Sequence, residues 1–362
     1  MSAEKSQSNP VETRARSRRF APLGIIFGLL GLLLFIYFVS SAGLGQILAG
    51  IQRLGAGFLL ILAISSLRYV ARAWAWTRCV EAPYRLPFRD AFAARLMGDA
   101  LGNIIPFVSV AVSEPSKGVF VKDKVPLMVG LPALAIENIF YAMSVALFIF
   151  AGTTTLLFSF TLPKALRYAS IGTVCVTLVI VPLLYLLVRT QARFLSGFFA
   201  LLARRGIATK LMTRMGPRAS VLEDRVYGFY QRNQGRFLSI FLLDCCFHAA
   251  GVLEVYVTLS FISPVGPTLT QAFILESVNR IINVAFKFVP LRAGVDEGGT
   301  GQVSKVLGFA RDIGVTLAIV RKGRDIFWSA IGVALIWKRG LSLRNLSDEA
   351  VADLPQPVTA SE

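Results

Sequence analysis

Nineteen residues in a row, 21–39, carry no charge, and 168–188 supplies twenty-one more. About 20 apolar residues in a helix cross a hydrocarbon core about 30 Å thick, so runs of this length leave few soluble folds open. Further spans are expected at 59–76, 126–150, 237–262 and 313–337. Hydrophobic residues make up 55% of the chain, charged ones 16%, and the mean hydropathy is +0.63, which is the balance of an integral membrane protein. The expected fold is an all-α polytopic membrane protein of about eight hydrophobic segments. Arg18 and Arg19 precede the first run and Ser40-Ser41-Ala42 resembles a cleavage site. That run exceeds the about 7–15 apolar residues of a signal peptide, so it reads as a retained helix.

The net charge of +17 is distributed for topology rather than for nucleic acid. Arg14, Arg16, Arg18 and Arg19 precede the first span, Arg78, Arg85, Arg89 and Arg95 follow the second, and Lys338, Arg339 and Arg344 follow the last. The stretch 189–236 carries ten basic residues against Glu223 and Asp224. Basic clusters stay on the cytoplasmic side, which places both termini there, in the inner (cytoplasmic) membrane of a bacterium, with attraction to anionic lipid. The organisation expected is a basic tail (1–20), a first transmembrane half (21–188), a basic cytoplasmic loop (189–236), a second half (237–340) and a polar tail (341–362).

Several chemistries are excluded. No GxxxxGK[ST] phosphate loop occurs, and the one histidine, His248, has no second of its kind. The cysteines 79, 175, 245 and 246 lack paired metal spacing and read as packing residues. No cofactor, metal or nucleic-acid partner is expected.

Two passages break the apolar pattern in the same way. GNIIPFVSVAVSEPSKGVF (102–120) and FKFVPLRAGVDEGGTG (286–301) each place an acidic residue, Glu114 or Glu297, seven or eight positions after a proline, Pro106 or Pro290. Further on, Glu137-Asn138-Ile139-Phe140 lies at a distance comparable to Arg324-Asp325-Ile326-Phe327, and Arg95, Asp99, Asn103 recur as Asn279, Asn283, Lys287. With both termini on one side, the halves become inverted copies, a recurring transporter plan with the ligand held at the midplane. Pro106, Pro290 and Gly294 are the expected breakers of re-entrant or interrupted helices near 88–120 and 271–301. Broken backbone inside a membrane is tolerated where it is buried in protein or lines a wet cavity.

A charge at the bilayer centre costs about 3 kcal/mol, and this chain has many. Arg95 with Asp99, Glu276 with Arg280, Arg321 with Asp325 and Asp244 with His248 stand at i,i+4 spacing, which suits structural pairs. Arg68, Arg72, Arg321 and Arg324 outnumber the acids near them, and their planar forks match phosphate oxygens. Glu114 and Glu297 are open to three roles: binding a cationic head group, carrying a proton, or neutralising the arginines.

These passages, each followed by a span with a central charge, resemble the two halves of the lysylphosphatidylglycerol synthase transmembrane region, or flippase-like, family, from about residue 59 to 337. The resemblance implies an inverted-repeat domain that moves aminoacylated or other polar lipids between leaflets. It carries over to Asn103, Pro106, Glu114 and Lys117 in the first half and to Pro290, Gly294, Glu297 and Arg324 in the second. Ser113 stands where a glycine commonly precedes the glutamate, and Arg292 stands in a stretch that is usually glycine-rich; both departures bear on head-group preference. Only a polar tail follows Gly340, so a member without the soluble aminoacyl-transferase domain is expected, with no enzymatic activity.

A membrane glycosyltransferase would need acids in its first external loop, and none occurs between Thr13 and Val80. The function expected is lipid translocation by alternating access. The substrate-binding residues expected are Arg68, Arg72, Asn103, Glu114, Lys117, Glu137, Lys287, Glu297, Arg321 and Arg324. The alternatives are an accessory role in hopanoid or isoprenoid lipid production or transport, and a membrane-embedded lipid-modifying transferase. Membrane lipids are the expected partners, with lipid-synthesising enzymes as further ones.

Overall fold

A computed structural model describes residues 44–104, 109–191, 193–206, 209–287, 289 and 292–338. The span 21–39, both tails, Pro106 and Pro290 lie outside the described residues. Within them the chain forms α1 (Leu44–Leu54), α2 (Gly57–Cys79), α3 (Phe88–Ile104), α4 (Ser109–Phe120), α5 (Leu127–Ser159) and α6 (Lys164–Arg189). It continues as α7 (Phe194–Arg204), α8 (Thr209–Arg232), α9 (Gln234–Ile262), α10 (Leu269–Ala285), α11 (Val295–Val306) and α12 (Arg311–Lys338). Among the described residues there is no strand. The all-α membrane fold is as the apolar runs require.

Among the described residues, four helices are long and apolar enough to cross a membrane: α2, α5, α9 and the 164–183 part of α6. Only 11% of that α6 window is buried, and Val176, Val179 and Leu183 stand more than half exposed, so α6 turns most of its surface to lipid. α12 has the length to span, at 28 residues, but carries Arg321, Lys322, Arg324 and Asp325 at its middle. α4 and α11 have twelve residues each. At about 1.5 Å per residue each is about 18 Å long, too short to cross about 30 Å of hydrocarbon. Each packs back against the helix before it, α4 on α3 and α11 on α10.

The spine is the pair α2 and α9, the most extensive helix contact in the molecule. One core cluster holds Trp76 and Cys79 of α2 with Ile240 of α9; the other holds Ile61 of α2 with Leu259 and Ile262 of α9. The two helices therefore run antiparallel, with an apolar core at each end. Arg68 and Arg72 of α2 fall between the two cores, so the charge lies at mid-helix.

Around this spine the succession of a spanning helix, a 17-residue helix, a 12-residue helix and a long helix occurs twice, as α2–α5 and α9–α12. The halves interlock by exchange: α3 packs on α12, and α10 packs on α5. In lipid there is no hydrophobic drive between helices, so close approach decides such crossings. A β-carbon at Gly332 of α12 would collide with the Leu96 carbonyl oxygen of α3, and one at Gly152 of α5 would collide with Ser277 of α10. Both crossings depend on a glycine.

Two readings of the basic clusters need refinement. The stretch 189–236, expected as a loop between the halves, contains two helices: α7 and α8 pack on each other within it, tied by Ser196 donating to Glu223 at 2.6 Å. Apart from Ser196 and Arg204, α7 carries no polar side chain, and Phe194, Phe198 and Leu201 are exposed on it. Arg95 is not in a cytoplasmic cluster either; it is 1% exposed, because Glu137 draws it inside. Arg78, Val80 and Glu81 do meet the 232–236 segment, where Arg236 donates to the Val80 carbonyl at 3.0 Å and Arg232 and Asn233 to Glu81 at 3.1 and 2.6 Å. The end of α2 and the start of α9 thus share one face of the protein.

Candidate functional site

The charges between the two cores form two connected networks. In the first half, Arg72 of α2 donates to both oxygens of Glu137 on α5, at 2.7 and 2.8 Å, and to Asn138 at 2.9 Å. Asn138 donates to Glu114 at 2.8 Å, and Lys117 bridges Glu114 and Asp99, each at 2.7 Å. Arg95 reaches the far side of Glu137 at 2.8 Å. In the second half, Arg324 of α12 pairs with Glu254 of α9 and with Asp325, and Arg292 pairs with Asp325 at 2.9 Å. Glu276 of α10 holds Arg280 of its own helix and Arg321 at 3.6 Å. Arg68 joins Glu254 at 3.3 Å and Glu276 at 3.9 Å.

The two halves use the same interhelical tie with the charges exchanged. An arginine on the spine helix meets a glutamate on the long helix in one (Arg72 and Glu137), and a glutamate on the spine meets an arginine on the long helix in the other (Glu254 and Arg324). Across both networks, seven arginines (68, 72, 95, 280, 292, 321 and 324) and Lys117 share seven carboxylates (99, 114, 137, 254, 276, 296 and 325). The network keeps a positive surplus.

Of the pairs expected from i,i+4 spacing, Glu276 with Arg280 forms. The others are re-sorted, because helix packing offers better partners: Arg95 goes to Glu137, Asp99 to Lys117, Arg321 to Glu276 and Asp325 to Arg292 and Arg324. Asp244 and His248 make no bond to each other: both carboxylate oxygens and His248 Nδ1 lack a partner among the described residues, and His248 Nε2 instead lies 3.2 Å from Ser144 Oγ.

A cavity of about 1300 Å³ opens onto these networks. Of the expected substrate-binding residues, Arg68, Arg72, Asn103, Glu114, Lys117, Lys287 and Arg324 line it. Glu137, Arg321 and Glu297 do not line it, which corrects their expected placement. Glu137 is fully buried behind Arg72 and Arg95, and Arg321 is 2% exposed behind the wall with Glu276. Glu297 is fully buried, where it accepts from the Gly294 N–H at 2.8 Å and pairs with Lys322. It caps α11, and Gly294 supplies the left-handed turn that precedes it, at φ 79°. Each of the three is occupied in holding other groups.

Tyr69, Asn138, Tyr141, Arg280, Arg292 and Asp325 also line the cavity, though none of them was among the expected substrate-binding residues. Asn138 and Asp325 directly follow charges already noted. Tyr141 was legible only as the residue one turn beyond Glu137, and its ring lies 3.5 Å under the Arg72 guanidinium. Arg292 holds a left-handed backbone at φ 51°, which glycine adopts freely and arginine does not. This is the position where the motif is otherwise glycine-rich. The rest of the lining combines polar groups, such as Asp99, Ser113, Thr173, Thr177 and Asn283, with an apolar face: Ile139, Ala142, Val145, Ala146 and Ile149 on α5, Val176 and Ile180 on α6, and Ile281 and Val284 on α10. Among the described residues no group of three or more metal-ligating side chains comes together.

Residues 23–332 match the family described as the lysylphosphatidylglycerol synthase TM region. The chain belongs to this family. The match takes in both proline-containing passages, both helices of the spine and the whole charged network. No curated protein and no solved structure matches the chain. As a member of the lysylphosphatidylglycerol synthase TM region family, it is a multi-pass helical membrane protein.

Proposed function

We propose that the chain moves a lipid with an anionic, phosphate-bearing head group between the leaflets of a bacterial inner membrane, both termini lying in the cytoplasm. The observation that carries this reading is the two-sided lining of the cavity. Charged groups and amides cover one part, and a largely apolar face of α5, continued by Val176 and Ile180 of α6 and Ile281 and Val284 of α10, covers another. Only an amphiphile uses both. The volume of about 1300 Å³ exceeds the about 300–1,000 Å³ of a site for a small soluble ligand, which suits a molecule with chains.

In the mechanism we favour, a phosphate takes the cavity-facing forks of Arg72 and Arg324 while Glu137 stays with Arg95 and Glu254 with Arg68. No buried charge is then left alone, which keeps the exchange shallow. Asp99 and Glu114, partly exposed on the wall with Lys117 between them, stand where the amine of a zwitterionic or aminoacylated head group would sit. The two halves rock about the α2–α9 spine, as inverted repeats do around a midplane site, and present the head group to one leaflet and then the other. No bond-making step is part of this function.

The test is lipidomics of a deletion strain with leaflet-resolved head-group labelling, beside a strain carrying Arg324→Ala. A lipid that is made but retained in one leaflet in both strains is the expected outcome and names the substrate. A lipid missing from both leaflets would overturn transport in favour of a role in synthesis.

A further inference from the structure

Asp244, one turn before His248 on α9, has no exposed surface, and neither of its carboxylate oxygens meets a hydrogen-bond donor among the described residues. It lies on the face that carries buried Ile240 and Phe247. Every other carboxylate of the central networks is paired with a cation. A buried carboxylate without donors or counter-ion takes up a proton rather than remain charged. As a neutral carboxyl, Asp244 needs no cation.

The charges around it decide what that proton does. Arg72 from α2, Arg95 from α3 and Glu137 from α5 are within its electrostatic reach, as is the Cys79 thiol of α2. The other helices packed on α9 bring no charge to it: α10 places Glu276 and Arg280 by His248, α12 meets α9 through Arg324 and Glu254, and Arg53, the one charge of α1, is exposed. Arg72 and Arg95 share the single charge of Glu137, which leaves this trio at one net positive charge, faced across Asn138 by Glu114 with its partner Lys117. Ionised Asp244 would cancel that charge, whereas neutral Asp244 preserves it. Arg72 carries it to the cavity wall.

We infer that Asp244 is a proton-binding site linked to the anion site at Arg72, so that head-group binding and protonation of Asp244 favour each other. This linkage rests on the anionic-lipid reading of the cavity; the presence of the proton does not. The step is addition of one proton from water to the carboxylate, with no other bond changed. Coupling between two sites is reciprocal: an anion on Arg72 retains the proton, and loss of the proton at higher pH weakens the anion. Anion affinity therefore falls as pH rises.

Two measurements on the full chain in detergent test this. Infrared difference spectra between light and heavy water are expected to show a protonated carboxyl stretch at neutral pH that disappears in Asp244→Asn. If the native protein and the variant give the same spectrum, Asp244 holds no proton and the inference fails. Calorimetric titration with short-chain phosphatidylglycerol, in buffers of different ionisation enthalpy, is expected to show fractional proton uptake on binding. Asp244→Asn should bind with no uptake and an affinity flat with pH, and Asp244→Glu should restore the uptake. Uptake that persists in Asp244→Asn would place the proton elsewhere. If the native protein does not bind the probe, the anionic-lipid reading and the linkage both fall, while the infrared result still decides the proton.

Discussion

Arg72 and Glu137 join α2 to α5 through two parallel bonds of 2.7 and 2.8 Å, and Arg95 takes the same carboxylate from α3 at 2.8 Å. One buried acid thus holds three helices. Removing one partner of a buried pair leaves an uncompensated charge and costs about 3–5 kcal/mol. Glu137→Gln should lower stability by about that amount, measured as thermal unfolding in detergent, and Glu137→Gln combined with Arg72→Gln should recover part of the loss. A double variant no better than the single one would show that the pair is not the junction.

Arg292 and Asp325 meet at 2.9 Å on the cavity wall, at the price of a left-handed backbone. Such strain is worth about 1–3 kcal/mol. In Arg292→Gly the relief offsets the lost ion pair, so stability should change by less than about 1 kcal/mol while affinity for short-chain phosphatidylglycerol falls several-fold. Unchanged affinity in calorimetry would remove Arg292 from the binding surface.

The two glycine crossings should respond differently. An alanine at Gly152 meets the Ser277 side chain, whereas one at Gly332 meets the Leu96 carbonyl oxygen, which cannot be trimmed. Each should destabilise by about 1–3 kcal/mol, and Ser277→Gly should rescue Gly152→Ala alone. Failure of that rescue in melting experiments would mean that α5 and α10 do not cross there.

Outside the spans, Glu81 is partly buried, which pushes its carboxyl up, but hydrogen bonds from Arg232 and Asn233 and the charges of Arg232 and Arg236 outweigh this and hold it below the usual carboxylate range. A depressed carboxyl stabilises above its unfolded value and loses that contribution as pH falls through the folded one. With Arg232 62% exposed the effect is small, about 0.2–1 kcal/mol. Hydrogen-exchange protection factors at residues 80–87, with the intrinsic pH dependence of amide exchange divided out, should fall on acidification below the ordinary carboxylate range, and Glu81→Gln should show the lower protection at all pH. Protection factors that are independent of pH in the native chain would contradict the contact.

The spans at 59–76, 126–150, 168–188, 237–262 and 313–337 were legible because apolar length is a local property, and each lies in a helix of the structure. The helices within 189–236 were hidden by the ten basic residues spread through that stretch. Partner choice was not legible: Arg95 is four residues from Asp99 yet turns to Glu137, which depends on where α5 arrives. For the same reason Glu137, Arg321 and Glu297 looked like ligand-facing charges but are turned inward to other side chains. Tyr141, Arg280 and Arg292 reach the cavity because helices distant in sequence close around it, a relation that no single segment encodes.

The most direct test is translocation in proteoliposomes of purified protein, with a head-group-labelled phosphatidylglycerol read by a membrane-impermeant quencher. The native chain is expected to move label between leaflets faster than protein-free vesicles, and Arg324→Ala is expected to return the rate to that baseline. A native rate equal to the protein-free rate, or an Arg324→Ala rate equal to the native one, would contradict lipid transport through this cavity.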